Sequence, residues 1–310
     1  MRIDGRRDLM KVDGVFSGGG IKAFAFLGAL AECDRLGIKF ERVAGASAGA
    51  LIAALIAAGY RHQEIKKIID TVNTEKFLDP HPVAKKVPII KWLWLYFSLG
   101  LYQGKYIEKW IDDLLRAKGI RTFSDVDQSL YIIGADITNG RIAVFPDDLE
   151  PVYGIKPETF PVSKAVRISI SIPYFFRPIK IIGPGSKQNM FIDGGTLSNF
   201  PYWIFKQKKL AQPRPTLGIK LSAEESPVPD QPINNAFDML PAIVSTMIQA
   251  HDSRHISNSE AKNIMFIPID EDIKATDFDL KQKDKDYLYH LGEESANTFF
   301  QTWSPKINFS

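Results

Sequence analysis

Residues 40–58 read FERVAGASAGALIAALIAA. A β-branched and apolar strand pattern, Phe40 to Ala44, runs into Gly45-Ala46-Ser47-Ala48-Gly49 and then into a helix-forming run, Leu51 to Ala58. Small residues on both sides of a serine between a strand and a helix are what a nucleophile elbow requires, because the turn is tight and a larger side chain would collide with its neighbours. The turn also puts Ser47 at a helix N-terminus, where free N–H groups and the macrodipole favour an alkoxide or a tetrahedral oxyanion. A small-residue turn that only packs would carry the same pattern, so Ser47 is a candidate nucleophile that needs partners.

Upstream, Val12 to Phe16 reads as a buried strand, and Gly18-Gly19-Gly20 leads into a helix carrying Ile21, Phe24, Leu27, Leu30 and Cys33, ended by Gly37 as a C′ glycine. The helix after the elbow is apolar on every side up to Gly59, which predicts a buried central helix. The order β-loop-α-β-elbow-α predicts an α/β fold with a parallel or mixed sheet wrapped by helices. Further strands are predicted at 130–137, 141–145, 178–182, 189–192, 216–221 and 263–267, and helices at 105–118, 162–172, 234–251 and 283–303. Residues 222–232, with three prolines and several acids, read as a solvated loop.

The 310 residues are 45% hydrophobic and 24% charged, values that suit one large α/β domain spanning 1–310. A net charge of +3, from scattered basic residues, excludes a nucleic-acid groove. The single cysteine, Cys33, sits among apolar helix positions and reads as core; intrachain disulfides are impossible and a reducing compartment is expected. Residues 1–11 are charged and lack the apolar centre of a secretion signal, so a cytoplasmic protein is expected unless another route exports it. No apolar run reaches the roughly 18 residues of a spanning helix.

A nucleophilic serine needs a base and oxyanion donors. Ser17-Gly18-Gly19-Gly20 is the candidate for the donors, since glycines let backbone N–H groups approach a substrate oxygen. Asp193 is the candidate base: it ends the strand Phe191-Ile192 and precedes Gly194-Gly195, at a sheet rim from which it could reach the elbow, although an acid in a tight turn looks the same. The alternative reading of the glycine loop, dinucleotide binding, fails because the elbow occupies the place of the ribose-binding acid, and no G-K-[ST] follows for a phosphate loop. The order of a Ser-Asp-His triad would admit His251, His255 or His290, none in a glycine-rich or strand-end context. His251 and His255 at i, i+4 lack the third ligand of a metal site, so neither metal nor cofactor is expected.

Residues 88–102, PIIKWLWLYFSLGLY, break the pattern. Trp92, Trp94, Tyr96 and Phe97 with a single charge, Lys91, fit an interfacial wedge or apolar lid, and equally a core helix under the fold.

Taken together, Gly18-Gly19-Gly20-Ile21-Lys22, Gly45-Ala46-Ser47-Ala48-Gly49 and Asp193-Gly194-Gly195 resemble the motifs of the patatin-like phospholipases, a family of serine lipid acyl hydrolases. Gly100-Leu101-Tyr102, Ser171-Ile172-Pro173 and Thr276-Asp277-Phe278-Asp279 add secondary agreement, and the resemblance spans about Val12 to Phe300. It implies a three-layer α/β/α sandwich around a mixed, mainly parallel sheet, and a Ser47–Asp193 dyad with no catalytic histidine. It also implies an oxyanion hole at Gly18, Gly19 and Gly20, and Lys22 meeting a phosphate or stabilising the loop. The implied reaction is hydrolysis of phospholipid or lysophospholipid acyl esters at a peripheral membrane surface, with acyl transfer as a close variant. A catalytically weak lipid-binding or effector-type protein on the same fold is the alternative. Ala23 departs from the pattern, standing where the family usually has glycine.

Overall fold

The computed structural model describes residues 9–79, 98–126, 129–207, 214–222, 246, 258–269, 273, 275–276 and 279–304. In chain order these form β1 (Met10–Phe16), α1 (Phe24–Leu36), β2 (Ile38–Ala46), α2 (Ala48–Ala57), α3 (His62–Thr71), β3 (Gly100–Tyr102), α4 (Lys105–Ala117), β4 (Ser129–Asp136) and β5 (Arg141–Phe145). There follow α5 (Leu149–Tyr153), α6 (Val162–Ser169), β6 (Tyr174–Phe176), β7 (Ile179–Ile182), β8 (Gln188–Asp193), α7 (Trp203–Gln207), β9 (Thr216–Lys220), α8 (Asn258–Ala261), β10 (Ile264–Phe266) and α9 (Gln282–Thr302).

The main sheet has the order β10-β9-β1-β2-β4-β8-β7, with β5 also paired to β4. β10, β9, β1, β2 and β4 run parallel, whereas β5 and β8 are antiparallel to β4, and β7 to β8. The period of two along each strand sends alternate side chains to opposite faces. Val12, Phe16, Val43, Leu130 and Ile132 join one buried cluster together with apolar residues of α1, α2, α4, α6 and α9. Val15, Ala44, Ala46 and Ile133 join a second cluster, covered by Phe200, Tyr202, Ile204 and Phe205. The fold is therefore a three-layer α/β/α sandwich around a mixed sheet.

The pairing around β4 fixes the site. β5 lines one edge of β4 from Ile132 to Asp136, so β2, which pairs as far as Ala46 opposite Ile133, and β8, which pairs from Asp193 opposite Gly134, must share the other edge. They run toward each other along that edge and their C-terminal ends abut.

The expected strands and helices within the described residues are present, with ends shifted by at most three residues; the helix after the glycine loop begins as a 3-10 turn, Gly20–Ala23, before α1. Gly37 closes α1 with φ 76°, as expected of a C′ glycine. Six elements carried no clear sequence signal: α3, the short helices α5, α7 and α8, and the three-residue strands β3 and β6, which form a separate parallel pair. All but residue 246 of the helix expected at 234–251, nearly all of the loop expected at 222–232, and Trp92, Trp94, Tyr96 and Phe97 lie outside the described residues. Of the aromatic segment, residues 98–102 are described, and their end is β3 rather than a helix.

α1 and α9 cross at glycines. A Cβ on Gly292 would stand 1.9 Å from the Ala25 carbonyl oxygen, and one on Gly28 2.0 Å from that of Tyr289. Since backbone cannot yield as a flexible side chain does, Gly292→Ala should destabilise the protein by about 1–3 kcal/mol despite its gain in helix propensity. Urea unfolding would show this as a lowered midpoint; an unchanged or raised midpoint would refute the close-packing account.

Candidate functional site

Ser47 links β2 to α2 with φ 52° and ψ −127°, a conformation that costs an L-residue on the order of 1–3 kcal/mol. The flanking glycines are required by space. A Cβ on Gly45 would lie 2.3 Å from the Gly49 carbonyl oxygen, and one on Gly49 would lie 2.4 Å from that of Phe16.

The Ser47 hydroxyl donates to Asp193 Oδ2 at 2.7 Å, across 146 residues of sequence. Asp193 Oδ1 accepts the Gly195 N–H at 2.7 Å, and the Asp193 N–H donates to the Ser171 carbonyl at 2.9 Å. Ser47 and Asp193 are both buried. Burial disfavours the carboxylate and pushes the Asp193 pKa up to about 7, against the downward pull of the Ser47 hydroxyl and the Gly195 N–H. A carboxyl group poised near neutral pH and in contact with a hydroxyl is matched to accepting its proton.

The glycine loop passes directly against the elbow, since a Cβ on Gly18 would be 3.0 Å from Ser47 Cβ and 2.2 Å from Asn199 Oδ1. Gly18 itself donates its N–H to the Asn199 carbonyl at 2.9 Å, so that donor is already engaged. The N–H groups of Gly19 and Gly20 have no hydrogen-bond partner among the described residues. Gly20 has φ 56°, and the Ile21 N–H binds the Ala275 carbonyl at 3.0 Å, which pins the loop from the C-terminal side. Lys22 is half-buried in the 3-10 turn.

Ser47 and Gly20 open on a pocket walled by Leu51, Ile107, Trp110 and Phe176. Ala23 contributes to this wall as well as to the helix start, so its methyl extends the apolar surface beside Ser47. Apart from Ser47 and Thr74 the lining side chains are hydrocarbon or aromatic, an environment that takes a hydrocarbon chain and offers a charged group nothing.

No hydrogen bond joins a described histidine to Ser47 or Asp193. His290 faces Glu293 at 3.3 Å on α9, and His62 meets Asp34 at 2.5 Å. His251 and His255 lie outside the described residues. Sequence reasoning missed Ser169, Arg167 and Asn199. Ser169 accepts the Ser47 N–H at 2.9 Å from 122 residues away, and nothing in its own neighbourhood signals that partner.

The model of the patatin-like phospholipases matches residues 14–206. The chain belongs to the patatin-like phospholipase family. Among its relatives, the uncharacterised protein YqhO of Bacillus subtilis (strain 168) is 47% identical over 296 residues, covering 95% of this chain and all of YqhO. The cUMP-AMP-activated phospholipase of Escherichia coli is 29% identical over 195 residues, covering 59% of this chain and 54% of that protein. The solved structure of VipD from Legionella pneumophila shares the fold, with a TM-score of 0.53 at 15% identity, over 98% of this chain and 72% of VipD.

The raised pKa of Asp193 has a consequence for stability. Below pH 3.8 the carboxyl is neutral in both folded and unfolded chains; between there and about 7 the unfolded chain ionises while the folded one keeps its proton, so this group's contribution falls as pH rises. Asp193→Asn removes that penalty, by at most about 4 kcal/mol at 1.36 kcal/mol per pKa unit. The melting temperature of Asp193→Asn should therefore exceed that of the wild type at pH 8 by several degrees, with the gap narrowing toward pH 5. A gap that is constant or widens toward low pH would contradict the burial of an ionisable Asp193.

Proposed function

We propose that the chain hydrolyses acyl esters of phospholipids or lysophospholipids through an acyl-enzyme on Ser47, with Asp193 as general base. The observation that carries this reading is the 2.7 Å hydrogen bond from the Ser47 hydroxyl to Asp193 at the mouth of an apolar pocket. The names of two relatives, the cUMP-AMP-activated phospholipase and the triacylglycerol lipase ptl3 of Schizosaccharomyces pombe, support lipid ester hydrolysis as the reaction class.

In this reaction the acyl chain occupies the pocket and presents its ester carbonyl to Ser47. Asp193 takes the hydroxyl proton as Ser47 Oγ bonds to the carbonyl carbon, and the oxyanion that forms is held by the N–H groups of Gly19 and Gly20. The intermediate collapses by breaking the bond to the alcohol, which leaves with the proton from Asp193. Water then gives up a proton to Asp193 and attacks the acyl-Ser47 carbonyl; the fatty acid departs and Ser47 recovers its proton. No step calls on a histidine.

Ser47→Ala should lower fatty-acid release from phosphatidylcholine and lysophosphatidylcholine by about 10³-fold or more, and abolish labelling by a fluorophosphonate, while the circular dichroism spectrum stays as in the wild type. Released products identified by mass would give the substrate. A folded Ser47→Ala that retains turnover would overturn the assignment.

Two exposed side chains beside the pocket support action at a lipid surface. Leu99 is 41% and Tyr174 60% exposed, and both hold left-handed backbone, with φ 59° and 64°. Tyr174 pairs with Gly100, next to Leu99, and lies between Ile172 and Phe176, both of which line the pocket. Strain that places large apolar groups in water is compensated when those groups enter a bilayer interface. Leu99→Ser with Tyr174→Ser should slow hydrolysis of phosphatidylcholine vesicles roughly tenfold, the worth of one to two kcal/mol of apolar burial, and spare a short soluble ester. Equal loss on both substrates would reject the interfacial role.

A further inference from the structure

Ser47 directly follows β2 and Asp193 ends β8, and their contact depends on what holds those strand ends. The last β2–β4 pair is Ala46 with Ile133, and the first β8–β4 pair is Asp193 with Gly134. The ladder is broken between them because the chain turns away at Ser47. The Ser169 hydroxyl fills the break: it accepts the Ser47 N–H at 2.9 Å and donates to the Ile133 carbonyl at 2.5 Å. Two residues on, the Ser171 carbonyl accepts the Asp193 N–H at 2.9 Å.

Ser171 is itself fixed from two sides. Its hydroxyl donates to the Arg167 carbonyl at 2.8 Å and accepts from Arg167 Nη1 at 2.5 Å. The remaining donors of Arg167 reach the Gly104 carbonyl at 2.9 Å, the Gln103 carbonyl at 2.9 Å and the Arg177 carbonyl at 3.2 Å, and its guanidinium lies 5.1 Å from the centre of the Phe176 ring. Gly104 is kept side-chain-free by this contact, since a Cβ there would lie 2.2 Å from Arg167 Nη2. Arg167, Ser169 and Ser171 are completely buried. A planar fork spread over three carbonyls and a hydroxyl fixes direction in a way that a lysine ammonium on a flexible stem does not.

We propose that the end of α6, Arg167 to Ser171, is the positioning element of the Ser47–Asp193 pair, with Ser169 placing the nucleophile and Arg167 placing the base through Ser171. The inference rests on the proposed roles of Ser47 and Asp193. None of the three residues touches the reacting atoms: Ser169 acts through the backbone of Ser47, Ser171 through that of Asp193, and Arg167 through Ser171. Small misplacements of reacting groups lower turnover steeply without weakening substrate binding in an apolar pocket.

The test compares Ser169→Ala, Ser171→Ala and Arg167→Lys with Ser163→Ala, which removes a buried hydroxyl from the same helix that binds Asp112 instead. For each variant shown to be folded by circular dichroism, kcat and KM on a short soluble p-nitrophenyl ester and the rate of fluorophosphonate labelling are measured. Ser169→Ala should lose at least tenfold in kcat and in labelling rate with KM within twofold of the wild type, and Ser169→Thr, which restores a hydroxyl, should regain part of that loss. Arg167→Lys and Ser171→Ala should lose kcat in the same selective way, and Ser163→Ala should stay within twofold. Folded Ser169→Ala with unchanged kcat and labelling, or Ser163→Ala losing as much, would overturn the proposal. If Ser169→Ala does not fold, Ser171→Ala decides by the same criterion. Wild type that is not labelled at Ser47 would instead sink the nucleophile assignment, a failure distinct from wild-type labelling rates in folded brace variants.

Discussion

Two strands meeting head-on along one edge of β4 is the constraint on which the site depends. A continuous β2 would carry Ser47 into the sheet with its hydroxyl on one face and its N–H in the ladder. Because β8 occupies the next positions on that edge, from Asp193 opposite Gly134, β2 has to leave the sheet at Ala46. The sharp exit gives Ser47 its φ of 52° and aims α2 away from the strand ends. Strain of this kind persists only where the surroundings overdetermine the geometry. Here Gly45 and Gly49 supply the space, and the ladder break supplies the polar groups that Ser169 bridges.

Exclusion of water governs the chemistry as well as the packing. The pocket lined by Ser47 is walled by Leu51, Ile107, Trp110 and Phe176, and burial raises the neighbouring Asp193 to about 7. A carboxyl group left in solvent, near 4, would be too weak a base to draw a proton from a serine at neutral pH. Burial closes part of that gap, and the two hydrogen bonds from Ser47 and Gly195 keep the ionised form accessible. In the proposed reaction one physical condition thus suits the site both to an acyl chain and to a base that needs no imidazole.

Much of this was legible in the chain because local chemistry encodes it. β1, β2 and the elbow announce themselves through apolar runs and glycines whose replacement would collide with backbone, and Asp193 is marked by a strand end followed by Gly194-Gly195. The glycine loop was legible as a loop, but its donors were not distinguishable: only packing shows that the Gly18 N–H is engaged by Asn199 while those of Gly19 and Gly20 have no partner among the described residues. β3 and β6 escaped notice because three-residue strands are too short for a period of two to appear, and they exist by pairing with each other. Ser169 and Arg167 were invisible for a stronger reason. On a helix of apolar and polar mixture a serine and an arginine read as surface, and only the fold, by placing α6 across the break in β4's edge, turns them inward to complete burial.

The brace also connects the site to the molecular surface. Arg167 ends on the carbonyls of Gln103 and Gly104, directly after β3, and of Arg177, directly after β6. The exposed Leu99 directly precedes β3 and the exposed Tyr174 begins β6, and Ile172, just before β6, and Phe176, at its end, form pocket wall. A packed core transmits displacement because it has little void into which to relax. On the proposed reading, a lipid surface that engages Leu99 and Tyr174 therefore pushes on the same carbonyls that orient Arg167, and through Ser171 on the backbone of Asp193. Interface contact, acyl-chain admission and base placement are then properties of one connected body, with the buried Arg167 at its centre.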